Sequence, residues 1–201
     1  MTLEADLLRR DQPFTLRQPR PDLTDDAAFL TVCRAHPDLR IETDLEGTLI
    51  VMSPTGWRSS NRNARITAQL LIWAEHDGTG QVSDSLGLYH LRGHARRAPD
   101  AAWIRSDRLA EVPSAEQERI LPIAPDFVIE LRSPSDRLED LLAKMREYAD
   151  SGVRLGWLID PIERRCYEVR PDRDVISRGE PPELSGDPEL PGFRLDLRRI
   201  W

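Results

Sequence analysis

The stretch PDFVIELRSPSDRLEDLLAKMREYADSGVRLGWLIDP, residues 125–161, decides the fold. It begins as an apolar strand over 126–132, in which β-branched and aromatic residues dominate. A helix follows Ser133-Pro134-Ser135 and ends near Ser151-Gly152, and a second apolar strand covers 155–160. Two apolar strands joined by a helix predict a right-handed crossover connection in a sheet with helices on its faces.

The flanking segments predict the other elements of an α/β protein. A helix begins at Thr24-Asp25 and ends before Pro37, and Gly47 suits the turn of the hairpin that follows. The hydrophobic pattern predicts a second long helix over 59–76, and strands over 39–43, 48–52, 81–85, 86–91, 99–104 and 166–169.

The domain organisation follows from this order of elements. We expect residues 1–24 to form an N-terminal extension, in which Leu3, Leu7 and Leu8 allow a short helix. Residues 25–201 are expected to form one domain, with a Pro-rich C-terminal tail packed on its core.

The composition indicates an ordinary globular protein. Apolar residues make up 39% of the 201 residues and charged residues 31%, and we expect no membrane association. The two cysteines, Cys33 and Cys166, give no disulfide framework and indicate a cytoplasmic location. The formal charge of −7 argues against a protein that coats nucleic acid, but it is compatible with an acidic metal site beside a basic patch.

Two charged residues interrupt the apolar pattern of the central stretch. Glu130 lies inside the first strand, where a carboxylate needs a cationic partner. Lys144 lies at the edge of the apolar stripe of the helix, next to Tyr148, and its long stem can carry the ammonium to the sheet. It is also the only lysine among 28 basic residues, which favours a role that a guanidinium cannot fill. The alternatives are a genome that favours arginine codons and a structural ion pair between Glu130 and an arginine.

Asp100 follows Pro99 at the start of another apolar strand. If this strand neighbours that of Glu130, the two carboxylates can share one divalent cation, and such oxygen ligands suit Mg²⁺ or Mn²⁺. Two carboxylates, a metal ion and an ammonium group are the components of a site for phosphodiester hydrolysis. The pattern therefore predicts that Asp100 and Glu130 bind the metal and that Lys144 supplies a catalytic ammonium.

The same residues carry a resemblance to a known family. The chain resembles the Uma-type restriction endonuclease family, a domain-of-unknown-function group within the PD-(D/E)XK nuclease superfamily. The resemblance runs from residue 25 to the end, and its motifs are Ile50–Gly56, Pro99–Ile104, Pro125–Ser135, Lys144 with Tyr148, and Gly156–Pro161. It implies a restriction-endonuclease-like α/β fold, with a mixed sheet in an αβββαβ core, flanking helices, and an N-terminal helix and hairpin. It also implies an Asp/Glu/Lys site for Mg²⁺ and a homodimer.

Three further residues are secondary candidates for the site. The superfamily's lysine usually lies two residues after the motif acid, where this chain has Arg132; in some branches it lies in the following helix, as Lys144 does. Asp126 shares a strand with Glu130, whereas the two motif acids normally come from neighbouring strands. Glu46, in the first hairpin, is either an outer ligand of metal or water, or an ordinary acid in a solvated turn.

Several basic residues are candidates for phosphate contacts. We predict that nucleic acid is bound by Arg58, Arg62, Arg65, Arg96 and Arg97. A solvated helix face and turn is the alternative interpretation. Four of the five tryptophans are expected in the core or at an interface rather than as base-stacking platforms; they are Trp57, Trp73, Trp103 and Trp157.

These observations predict an Mg²⁺-dependent endonuclease that hydrolyses phosphodiester bonds in DNA. The alternative is a nuclease-fold module that binds nucleic acid or a protein partner without cutting, which the net charge and the absence of lysine at 132 favour. A third hypothesis is a metal phosphohydrolase that acts on small nucleotides. The enzyme hypotheses require Asp100, Glu130 and Lys144 to converge on one cleft.

Overall fold

The computed structural model describes residues 15–20, 23, 25–52 and 54–201. The strands in these ranges are β1 (Thr15–Pro19), β2 (Arg40–Thr43), β3 (Thr48–Met52), β4 (Gly80–Ser83), β5 (Tyr89–His90), β6 (Arg96–Arg97), β7 (Ala101–Arg105), β8 (Phe127–Leu131), β9 (Leu155–Asp160), β10 (Arg165–Arg170), β11 (Arg173–Gly179), β12 (Glu183–Ser185) and β13 (Arg194–Asp196). The helices are α1 (Asp26–Ala35), α2 (Trp57–Asp77), α3 (Ser106–Ala110), α4 (Ser114–Gln117) and α5 (Leu138–Asp150).

The central stretch folds as a strand, a helix and a parallel strand, as predicted. β8 and β9 pair in parallel, with Phe127 opposite Leu155, and α5 connects them. They lie inside a six-stranded mixed sheet of order β11-β10-β9-β8-β7-β4, whose other pairs are antiparallel. The succession α2-β4-β7-β8-α5-β9 is the αβββαβ core that the resemblance implies, so the predicted fold class is confirmed.

Both faces of the large sheet are buried. On one face Phe127 and Trp157 meet edge to face with ring centroids 4.9 Å apart, and Phe193 of the C-terminal tail stacks on Trp157. On the other face Val128 packs with Met145 of α5. The side-chain alternation of β8 therefore matches the sequence pattern, and the tail covers one face together with α2.

Gly156 in β9 leaves room for the end of the Met145 side chain of α5. A Cβ atom at this position would stand 2.5 Å from Met145 Cε and 3.3 Å from Val128 Cγ2. Met145 therefore packs directly against the backbone of β9.

A smaller antiparallel sheet, of order β1-β3-β2-β6-β5, forms the second part of the fold. α1 packs on it through Phe29, which is buried with Leu49 and Val51. The helix begins where Asp25 accepts a hydrogen bond from the Ala28 N–H, as its position in the sequence predicts. This sheet places β2 beside the start of β7, where the candidate site lies.

The sequence interpretation misses several elements outside the core. β1 pairs with β3 although its segment lies in the polar, Pro-containing extension. The strand expected over 86–91 shortens to β5, because the chain turns at Asp84–Gly87. The tail adds β11 and the β12–β13 pair. Most of the predicted extension, with its helix at Leu3, Leu7 and Leu8, lies outside the described residues.

In the part of the chain that the structure describes, no helix combines the length and the apolarity that crossing a membrane requires.

Candidate active site

Asp100, Glu130 and Lys144 meet at one end of the large sheet. Lys144 Nζ lies 2.7 Å from Glu130 Oε1. Asp100, which directly precedes β7, accepts a hydrogen bond through Oδ2 from the Leu131 N–H at 2.8 Å and so lies against the end of β8. All three residues line one cavity of about 760 Å³. The geometry that the enzyme hypotheses require is therefore present.

Arg40 of β2 connects Asp100 to the smaller sheet. Its Nη1 donates a hydrogen bond to Asp100 Oδ1 at 2.9 Å, and its Nη2 donates to the Ala98 carbonyl oxygen. Nη2 also lies 3.6 Å from Glu42 Oε1. Burial acts to lower the pKa of Arg40, but Asp100 and Glu42 outweigh it and raise the pKa. The guanidinium is therefore a fixed positive charge at the edge of the site.

Glu42 is a further acid of the site that the sequence interpretation missed. Its Oε1 accepts a hydrogen bond from Lys144 Nζ at 3.0 Å and another from the Ala98 N–H, while Arg97 Nη1 donates to Oε2 at 3.2 Å. The side chain is 1% exposed. No local signal marked it, because Glu42 alternates with Ile41 and Thr43 in the predicted strand over 39–43 as a solvent-facing acid would.

Tyr148 fixes the position of Glu130 from the same helix that carries Lys144. It follows Lys144 by one helical turn, and its hydroxyl donates a hydrogen bond to Glu130 Oε1 at 2.8 Å. The ring is fully buried, and Lys144 Nζ lies 5.8 Å from its centroid. One oxygen of Glu130 thus receives both a hydroxyl and an ammonium donor.

The cluster contains more acids than cations. Within the described residues, the connected acids are Glu42, Asp100, Glu130 and Glu147, and the connected cations are Arg40, Arg97 and Lys144. Burial raises the pKa of Glu130 to about 7, because the attraction of Lys144 does not cancel the desolvation of its carboxylate. Burial acts in the same direction on Glu42, but Lys144 and Arg40 outweigh it and lower the pKa of Glu42 to about 2. Glu130 is therefore the acid of the cluster whose negative charge the cations compensate least.

The cavity opens between two loops and the start of α2. Its lining includes residues 54–60, the Ser133–Asp136 loop before α5, and the acid cluster itself. Trp57, the first residue of α2, lines the cavity and is 78% exposed. Of the two expected locations, the core and an interface, the core is therefore excluded for Trp57, whereas Trp103 and Trp157 are buried in the core as expected.

The secondary candidates lie elsewhere. Arg132 Nη1 bonds to Asp160 Oδ2 at 2.6 Å and does not line the cavity with Glu130, so it does not take the place of a lysine there. Asp126 lies at the opposite end of β8, where it accepts the Arg105 N–H and pairs with Arg108. Glu46 is exposed in the hairpin turn. It lines a neighbouring depression that also reaches Lys144.

The predicted phosphate-binding arginines separate into two groups. Arg58 is exposed and lines the cavity, Arg62 is partly exposed on the same helix, and Arg65 bonds to Asn61 beside a different depression. Arg96 and Arg97 are buried, in ion pairs with Asp26 and with Glu42 and Glu147 respectively. Arg96 and Arg97 are therefore internal rather than part of a solvated turn, because carboxylates from α1, β2 and α5 surround them.

Fold and site together define a class of protein, the restriction-endonuclease-like nuclease fold with two acids and a lysine at the end of its core strands. The profile of the Uma2 family, described as "Putative restriction endonuclease", matches residues 26–198. The chain therefore belongs to the Uma2 family, and the resemblance stated from the motifs is confirmed.

A crystal structure supports the same fold. It is that of a protein from Anabaena variabilis ATCC 29413, described as a putative nuclease belonging to DUF820. The two chains share 20% sequence identity with a TM-score of 0.66, over 80% of this chain and 88% of that chain. No curated protein matches the sequence significantly. The family and the fold together support a nuclease.

Proposed function

We propose that this protein is a metal-dependent endonuclease that hydrolyses phosphodiester bonds in DNA with Mg²⁺ or Mn²⁺. The observation that carries the proposal is the convergence of Asp100, Glu130 and Lys144 on one cavity, with Lys144 Nζ 2.7 Å from Glu130 Oε1. A purely structural ion pair needs neither a second acid nor a cavity beside it. The family description and the shared nuclease fold support the same reaction class.

The residues at the site fit a magnesium ion. Asp100 and Glu130 would hold it: each Asp100 oxygen makes a single hydrogen bond, and Glu130 Oε2 has no hydrogen-bond partner among the described residues. In the same part of the chain, no group of three or more His, Cys, Asp or Glu residues could hold a metal ion. Mg²⁺ usually binds through one or two carboxylates and completes its coordination with water and substrate phosphate. The excess of acids around Glu130 favours such a cation.

The residues of the chain would perform the remaining tasks of hydrolysis. When bound, the metal ion polarises the phosphoryl oxygen and lowers the pKa of water. Lys144 would orient the attacking water and offset the negative charge that develops on phosphorus. Glu42 and Tyr148 would hold Lys144 and Glu130 in position, since each contacts one of them directly. Arg58, exposed at the cavity, would contact a neighbouring phosphate.

The organisation of the active protein is part of the proposal. We expect residues 25–201 to act as one domain preceded by the extension 1–24. We also expect a homodimer in the cytoplasm, since cutting both strands of a duplex requires two sites. Sedimentation of the purified chain with and without duplex DNA tests the dimer.

Plasmid nicking tests the proposed reaction. Wild-type protein with Mg²⁺ or Mn²⁺ should convert supercoiled plasmid to nicked and linear forms, and EDTA should stop the conversion. Lys144→Ala and Lys144→Arg should each reduce the rate by about 10²–10³-fold, because neither supplies a compact ammonium at this position. Arg146→Ala removes an exposed cation from the same helix and should leave the rate within about twofold.

The outcomes separate the hypotheses. Full activity in folded Lys144→Ala contradicts the role of the ammonium. Hydrolysis of mononucleotides without plasmid cleavage identifies a small-nucleotide phosphohydrolase. Plasmid binding without hydrolysis under all metal conditions identifies the binding module that does not cut.

A further inference from the structure

Trp57 is the most exposed large apolar side chain in the described part of the chain. It is 78% exposed, whereas Trp103 and Trp157 are almost completely buried. An indole contributes strongly to stability when it is buried, and this one makes no comparable contribution to the fold. Its ring is therefore free to contact a ligand.

The position of Trp57 identifies the site that such a ligand would occupy. Trp57 lines the same cavity as Asp100, Glu130 and Lys144, and the neighbouring Arg58 adds an exposed guanidinium. A ligand that enters the cavity therefore meets an aromatic face beside a positive charge. Single-stranded nucleic acid is bound by this combination, in which bases stack on aromatic rings and phosphates contact basic side chains.

Stacking on Trp57 requires a base that is not paired inside a duplex. A volume of about 760 Å³ is within the range of sites that enclose a small ligand. Inside a duplex the face of each base is covered by its neighbours, so only an unpaired or extruded base can stack on an indole. A second copy of the chain would require a broad apolar surface. The lining here is mixed: apolar side chains such as Met52 and Leu141 stand beside acidic, basic and hydroxyl-bearing ones.

We infer that Trp57 stacks on an unpaired nucleobase next to the phosphate that reacts beside Asp100, Glu130 and Lys144. The preferred substrate is then single-stranded nucleic acid, or a duplex end or junction with unpaired nucleotides. This inference rests on the proposed nuclease function for the reaction, but the stacking itself is a binding event that metal-free protein can show.

Binding of short oligonucleotides in EDTA tests the inference without cleavage. The probes are oligothymidylate, a base-free tetrahydrofuran oligomer of the same length, and a blunt duplex hairpin. Wild-type protein should bind oligothymidylate about tenfold more tightly than the base-free oligomer, as expected for one stacked base. Trp57→Ala should bind both single strands equally, and Trp57→Phe should keep most of the preference.

The matched control is Ile72→Ala, which removes another exposed apolar side chain from α2 that does not line the cavity. It should bind all probes as wild type does. Indole fluorescence gives a second readout: oligothymidylate should quench the emission of wild-type protein and leave that of Trp57→Phe unchanged.

Equal affinity of wild type and Trp57→Ala for oligothymidylate, or equal binding of thymidylate and base-free probes by wild type, overturns the inference. A change of oligomeric state in Trp57→Ala with unchanged affinity also overturns it and assigns Trp57 to a contact between copies. Base-dependent binding in a protein that cleaves nothing supports the stacking and contradicts the proposed function. Cleavage whose rate depends neither on Trp57 nor on unpaired bases supports the proposed function and contradicts the stacking.

Discussion

The two ends of β8 each bury a carboxylate, and the two carboxylates differ in almost every other respect. Asp126, just before the strand, accepts the Arg105 N–H and pairs with Arg108 at 2.9 Å. Glu130, near the other end, shares one oxygen between Lys144 and Tyr148 and has further acids beside it. Only the second carboxylate lines the cavity.

The difference teaches how to separate a structural acid from a candidate catalytic one in the same strand. Asp126 is satisfied by one backbone donor and one arginine, so its charge has no further task. Glu130 lies where acids outnumber cations, and burial raises its pKa. A buried acid that has too few cationic partners and lines a cavity can bind a further cation there.

The strongest test of this comparison is to neutralise each acid with its isosteric amide. Glu130→Gln should lower the rate of plasmid nicking by about 10³-fold, because the variant loses one of the two proposed metal ligands. Asp126→Asn should leave the nicking rate of the folded fraction within about threefold, since Asp126 is remote from the cavity. Comparable losses in the two variants would contradict the assignment.

Replacement by alanine should have the opposite ranking when stability is measured: the loss at Asp126 should exceed the loss at Glu130. Asp126→Ala should reduce the free energy of unfolding by about 3 kcal/mol, because it leaves Arg108 and the Arg105 N–H without their acceptor. Glu130→Ala should cost less, because it also relieves the repulsion from Asp100 and Glu42. Urea unfolding in EDTA measures both; a larger loss in Glu130→Ala would be inconsistent with an excess of acids there.

The pH dependence of stability should distinguish Glu130 from its amide. Its pKa is about 7 in the folded protein, above the ordinary value of 4.5, so the folded state binds the proton more tightly than the unfolded state. Stability should therefore fall as pH rises through this window. Relative to Glu130→Gln, wild type should lose about 2 kcal/mol between about pH 5 and about pH 8. Urea unfolding in EDTA at each pH measures the difference, and a constant difference would contradict the raised pKa.

The smallest expected effect concerns the hydroxyl of Tyr148. Its hydrogen bond stabilises the ionised form of Glu130, so Tyr148→Phe should raise the apparent pKa of Glu130 further, by about half a unit. The acidic limb of the pH–rate profile of cleavage should move upward by the same amount. Tyr167→Phe, on β10, serves as the control. A lower rate with an unmoved profile would assign Tyr148 a packing role only.

The core of the fold and three residues of the candidate site could be predicted from the sequence. Alternation along β8 and the apolar stripe of α5 are strong local patterns, and Glu130 and Lys144 stand out against them. Asp100 could be predicted because the start of one strand lies beside the end of its antiparallel neighbour.

The residues that were missed depend on contacts between distant segments. Glu42 reaches Lys144 only because the smaller sheet docks against the larger one, and no local pattern reports that docking. Arg96 and Arg97 read as a basic turn because their carboxylate partners lie on α1, β2 and α5. Trp57 precedes the predicted helix over 59–76 and was expected in the core or at an interface; its exposure depends on the cavity that distant segments form around it.

The distribution of the site over separate elements has a consequence for the newly made chain. Glu42 comes from one sheet, Asp100 and Glu130 from the other, and Lys144 from the helix between β8 and β9. A nascent or partly folded chain therefore carries the reactive groups without their arrangement. For the proposed nuclease, the capacity to cut arises only once these long-range contacts have formed, so the fold itself acts as a safeguard during synthesis.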